Sequence, residues 1–105
     1  MLKLLEREVD GNDITELYRY EDNEVVELYL KHRAEDGGYT VRVLSLRRDT
    51  FRVEYYLIMA TPEARGKWLI GEKELDPSIF EAWAERVRGI ENIDGFCKFV
   101  EMYFP

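Results

Sequence analysis

The spacing of apolar residues changes once along this chain, and that change constrains the fold more than any other feature. Through the first two thirds, apolar and polar side chains alternate with a period of two. In the last third they recur in steps of three and four. A period of two places successive side chains on opposite faces of a strand, whereas a period near 3.6 draws one stripe along a helix. A run of strands followed by a run of helices describes an α+β domain. The pattern therefore predicts an antiparallel meander sheet of five or six strands followed by two C-terminal helices packed on one face. At 105 residues the chain is one domain, residues 1–105, and its 46% apolar content fills a single core.

The strands are bounded by turn residues. Leu4 to Val9 and Ile14 to Tyr20 flank Asp10-Gly11-Asn12-Asp13, a hairpin signal. Residues 14–20 admit a second reading, because Asp13 and Glu16 also have capping-box spacing for a short helix. Glu24 to Arg33 reads as a third strand, and Ala34 to Gly38 as the loop after it. Tyr39 to Leu46 and Phe51 to Ala60 follow, joined by Arg47-Arg48-Asp49-Thr50. Thr61 to Gly66 breaks the alternation before a sixth strand, Lys67 to Glu74, in which Gly71 marks a bulge.

The helices carry the clearest end signals. Asp76 caps the first, Pro77 sits where its missing N–H costs nothing, and Gly89 suits the stop. Between them Ile79, Phe80, Trp83 and Val87 form one apolar stripe. Asn92 caps a second helix with Ile93, Phe96, Cys97, Val100, Tyr103 and Phe104 on its stripe. Gly95 weakens that helix by about 1 kcal/mol, so packing must hold it.

If Arg33 pairs with Tyr39 and Leu46 with Phe51, the two faces of the central sheet separate. One carries Val26, Leu28, Leu30, Leu44, Leu46, Phe51, Val53, Tyr55 and Leu57, interrupted by Arg42, and is the face for the helices. The other carries Tyr29, Tyr39, Val41, Val43, Tyr56 and Ile58, rimmed by Glu27, Lys31, Arg33, Arg52 and Glu54. A slip of one residue would exchange the sets. An uncovered sheet face normally reads polar, and this one is amphipathic. Tyrosine combines contact area with a polar tip and is enriched at interfaces. The expectation is a surface for a protein partner or for self-association as a homodimer, against the alternative that the sheet curls and buries these residues.

Catalytic constellations are sparse. His32 is the one histidine, Cys97 the one cysteine, and Ser45 and Ser78 the only serines. No spacing among them suggests a nucleophile–base pair or a metal site, and no phosphate loop, dinucleotide motif or calcium loop is present. No cofactor is expected. Fifteen glutamates make some carboxylate pair inevitable, which leaves a small carboxylate-dependent enzyme as an alternative without singling out a residue.

Charge argues in the same direction. Fifteen Lys+Arg against 22 Asp+Glu, a net of −7, opposes the phosphate attraction that dominates nucleic-acid binding. The nucleic-acid alternative rests on Arg47, Arg48 and Arg52 at one hairpin end and Arg42 nearer the middle of its strand, with sheet tyrosines as a stacking platform for a single strand. The C-terminal Cys97 to Phe104 resembles the PCNA-interacting peptide in its aliphatic Val100 and paired Tyr103-Phe104, with Cys97 in place of the leading glutamine. The same spacing is that of a core helix, the reading adopted. With no apolar run near the roughly 20 residues of a membrane span, the expectation is a cytoplasmic protein that engages no membrane. The absence of glutamine beside abundant glutamate is a thermophile's composition.

Overall fold

Short connections oblige consecutive strands to pair, and the chain is built on that rule. The computed structural model describes residues 1–105. Six strands, β1 (Leu2–Asp10), β2 (Asp13–Glu21), β3 (Val25–Arg33), β4 (Tyr39–Arg47), β5 (Arg52–Ala60) and β6 (Arg65–Glu74), form one antiparallel sheet in sequence order. Helices α1 (Pro77–Arg88) and α2 (Ile93–Tyr103) follow. Residues 14–20 are strand, and the capping-box reading of Asp13 and Glu16 falls. Ile14 and Tyr18 lie on one face and Leu17 on the other, so a helix would bring together what the sheet must separate.

Each turn has its own chemistry. Gly11, at φ 59, is the first of two residues linking β1 to β2, the position a type II′ hairpin reserves for glycine. In the β2–β3 link the Asp22 carboxylate accepts the backbone N–H groups of Glu24 and Val25 at 2.7 and 2.9 Å. These bonds and one from the Tyr20 hydroxyl hold its pKa below the usual carboxylate range. Asp36 accepts from the Gly38 N–H at 2.8 Å beside Gly37, whose φ is 86. The β4–β5 turn ends on Phe51 at φ 50, the one non-glycine residue with positive φ.

That turn corrects the expected register. Arg33 pairs with Tyr39 as the sequence suggests, but Leu46 pairs with Val53 rather than Phe51. The shift is two residues, so every side chain keeps its face. Phe51 leaves the ladder and sets its ring edge-on to Phe80, with centroids 5.6 Å apart.

The covered face builds the core. Leu17, Val26, Leu28, Leu44, Leu46 and Val53 from the sheet meet Phe80, Ala84, Val87, Phe96, Phe99 and Val100 from the helices. Asp76 caps α1, its carboxylate accepting from the Ser78 N–H and hydroxyl, which lowers its pKa. Gly89 ends α1 at φ −74, so the helix stops without a left-handed residue. Asn92 caps α2 through the Gly95 N–H at 2.7 Å, and Glu6 of β1 accepts the Ile93 N–H at 3.0 Å. Three positions differ from the expected stripes. Ile79 is 45% exposed, whereas Ala84 and Phe99 are buried. The C-terminal Val100, Tyr103 and Phe104 pack inward against the core, as a core helix requires.

The two edge strands each carry a bulge. In β1 it falls between Leu4 and Glu6 and turns Leu5 toward the core. In β6 Tyr55 pairs with Gly71 and Tyr56 with Leu69, so Ile70 is the extra residue, next to the expected Gly71.

Candidate functional site

The second face of the sheet has no layer over it: both helices pack on the first. Backbone pairing sets its side chains in rows that cross the strands. The middle row is Leu4, Tyr18, Tyr29, Val43, Tyr56 and Leu69, apolar or aromatic from edge to edge. On one side of it runs Arg7, Glu16, Lys31, Val41, Ile58 and Lys67, and beyond that Arg33, Tyr39 and Arg65. On the other side runs Leu2, Tyr20, Glu27, Ser45, Glu54 and Glu72, and beyond that Val25, Arg47, Arg52 and Glu74. An apolar band thus divides a mainly cationic half from a half whose inner row is acidic.

All six residues expected on this face stand there, but not equally open. Val43 is 0% exposed, sealed between its cross-strand neighbours Tyr29 and Tyr56. It supports the surface and cannot touch a partner. Tyr29, Tyr56, Val41 and Ile58 are half-buried, and Tyr39 is exposed. The sequence reading missed Leu2, Leu4, Tyr18, Tyr20 and Leu69, which extend the face to both edges. The signal was available for two of them. Tyr18 and Tyr20 alternate with Leu17 and Arg19, and the short Asp22 turn fixes their parity to Tyr29.

Tyr29 and Tyr56 are held neutral. Burial pushes the Tyr29 hydroxyl pKa well up, and its 2.7 Å bond to the Glu27 carboxylate adds to the shift. Tyr56 is raised by burial first and then by the charges of Glu27 and Glu54. The ammonium of Lys67 lies 4.3 Å from the Tyr56 ring centroid and that of Lys31 5.1 Å from the Tyr39 ring. Cations resting on aromatic faces in this way are attracted by the ring quadrupole. A shallow hollow of about 500 Å³ opens among Leu2, Tyr18, Tyr20, Tyr29, Lys31 and Val41. Neither His32 nor a carboxylate lines it.

The four arginines do not act together. Arg42 stands on the covered face, whereas Arg47 and Arg52 stand on the open one. Arg47 pairs with Asp49 at 3.4 Å and Arg52 with Glu72 at 2.7 Å. Arg48 reaches α1, where it pairs with Glu81 and lies over the Phe80 ring. His32 faces the helix side between Thr15 and Thr40, and Cys97 is half-buried in α2. No three His, Cys, Asp or Glu side chains converge as a metal site would require. No helix is long and apolar enough to cross a membrane.

No protein-family model matches the chain, and no curated protein and no solved structure is significantly similar to it.

Proposed function

We propose that this protein is a non-enzymatic protein-association module whose contact surface is the uncovered sheet face. The observation that carries the reading is the apolar row from Leu4 to Leu69, which crosses all six strands with no layer above it. Its two ends are 45% and 54% exposed. Apolar side chains gathered on one uncovered face, open at both ends and half-buried between except at the sealed Val43, favour a binding surface. Tyr29 suits protein recognition, because its stiff ring contributes area while its hydroxyl stays hydrogen-bonded to Glu27. The tyrosines of this face would serve a nucleic-acid strand, but three of the four arginines in question are paired with carboxylates and the fourth is on the other face. That arrangement favours a protein partner over phosphate.

A photo-crosslinking aromatic amino acid in place of Tyr20, with one in place of Glu101 on α2 as control, tests the reading in cells. Protein adducts from position 20 and not from position 101 are expected. Equal yields, or none from position 20, would overturn it.

A further inference from the structure

We infer that the occupant of this face is a second copy of the same chain, stacked on the first about a two-fold axis parallel to the Leu4–Leu69 row. The inference rests on the proposed function and names its partner.

Rotation about the row lays the middle row of one copy on the middle row of the other. It also exchanges the two halves, so the cationic half of each copy lies over the acidic inner row of its mate. Lys31 then faces Glu27, Lys67 faces Glu72 and Arg65 faces Glu74, each pair occurring twice. The remaining charges face uncharged residues. Arg7 meets Leu2, Glu16 meets Tyr20, Arg33 meets Val25, Arg47 meets Tyr39, Arg52 meets Ala60 and Glu54 meets Ile58. No like charges meet across the fold. A surface that complements itself under one rotation is what an isologous dimer requires.

Geometry and area agree with the charges. Strands of one copy run alongside those of the other, antiparallel, which is the aligned packing of sheet on sheet with its offset of about 30°. At about 10 Å between sheets, lysine and glutamate side chains meet across the gap. Nine-residue strands span about 30 Å, and six strands span about 24 Å. The face therefore offers about 700 Å² per copy, near the roughly 800 Å² per partner of a standard stable interface. Pairing of two β6 edges would match the same β6 charges. The bulge at Ile70 interrupts the ladder there, a device that discourages edge pairing.

Sedimentation equilibrium on Lys31→Glu, Glu27→Lys and their equimolar mixture tests the stack, because β3 lies inside the sheet and takes no part in an edge contact. Each variant alone is expected to dimerise at least ten-fold more weakly than the wild type. The mixture should recover to within about three-fold, since the mixed dimer restores opposite charges at both crossings. Dimerisation of both variants at wild-type strength would overturn the inference.

A second measurement does not depend on how those variants fold. Spin labels at Leu4→Cys and, separately, Leu69→Cys, with Cys97→Ser in both, should each give a self-distance under about 25 Å, allowing for label arms across the ~10 Å sheet gap. Edge pairing through β6 would instead hold the Leu4 labels about 50 Å apart, across two sheet widths. A wild-type monomer at millimolar concentration would also overturn the stack. If the Tyr20 cross-linker still captured a chain of different mass, the association module would stand and only its self-partner would fall.

Discussion

The ring of Phe104 lies directly against Gly71, its Cδ1 atom 2.7 Å from where a Cβ on that glycine would stand. The same ring packs on Tyr55 with centroids 5.6 Å apart. The last turn of the chain is therefore seated on β6 because residue 71 has no side chain. Gly71→Ala should destabilise the fold by about 1–3 kcal/mol, the usual range for overpacking. Combined with Phe104→Ala it should add much less than the sum of the two single losses, since the clash has gone. Urea unfolding of the four proteins checks this, and additive losses would contradict it.

Phe51 poses a contest between two terms. Its φ of 50 costs about 1–2 kcal/mol relative to a glycine, and its edge contact with Phe80 returns about 0.5–1.5 kcal/mol beyond area burial. Burial of a ring only 36% exposed adds about 1–2 kcal/mol to that return, so Phe51→Gly should cost no more than about 2 kcal/mol. Phe80→Ala, which empties a buried site, should cost about 3–5 kcal/mol. Thermal unfolding of both variants makes the comparison, and a Phe51→Gly loss as large as that of Phe80→Ala would refute it.

The raised tyrosines make stability depend on alkaline pH. Folding holds Tyr29, Tyr55 and Tyr56 in their neutral form mainly through burial. Their stabilisation is complete below the unfolded tyrosine pKa near 10 and is lost as pH rises through the higher folded values. Ultraviolet titration should show tyrosinate forming late and together with loss of near-ultraviolet circular dichroism. Tyr29→Phe should move that transition to higher pH.

Arg88 ties α1 to β2. Its Nε donates to Glu21 at 2.6 Å, and its own carbonyl accepts from Arg19 at 2.9 Å. The ion pair is part-exposed, so Arg88→Met should cost at most about 1 kcal/mol, and the cost should shrink with salt. Phe96→Ala, removing a ring buried against Tyr55, should cost about 3–5 kcal/mol at any salt concentration. Denaturation at low and high ionic strength separates the two behaviours.

The sequence showed which face each central strand residue would take, even though one register was wrong. Leu46 opposite Val53 rather than Phe51 is an even shift, and parity survives even shifts. Phe51 misled because its β-forming side chain serves a turn held by a tertiary contact with Phe80, which no local pattern reveals. Ala84 was passed over for the same kind of reason. A stripe drawn by size selects Ile79, which is 45% exposed, and passes over the small, fully buried Ala84. The site was legible at its centre, in Tyr29, Tyr56 and Val41. Its extent toward the edges depended on Leu2, Leu4 and Leu69, whose faces are set by the bulges in β1 and β6. That Val43 is sealed rather than open followed from neighbouring ring volumes, which alternation does not encode.

The meander order has a consequence for synthesis. Every strand pairs with the one made just before it, so the sheet can assemble progressively as the chain leaves the ribosome, with short loops to close. The helices that cover Val26, Leu28, Leu46 and Val53 are encoded after the whole sheet. Until they emerge, the nascent sheet is bare on both sides, and its greasier side is the one that the finished protein hides. A ribosome stalled between β6 and α1 should therefore display the form of this chain most dependent on chaperones.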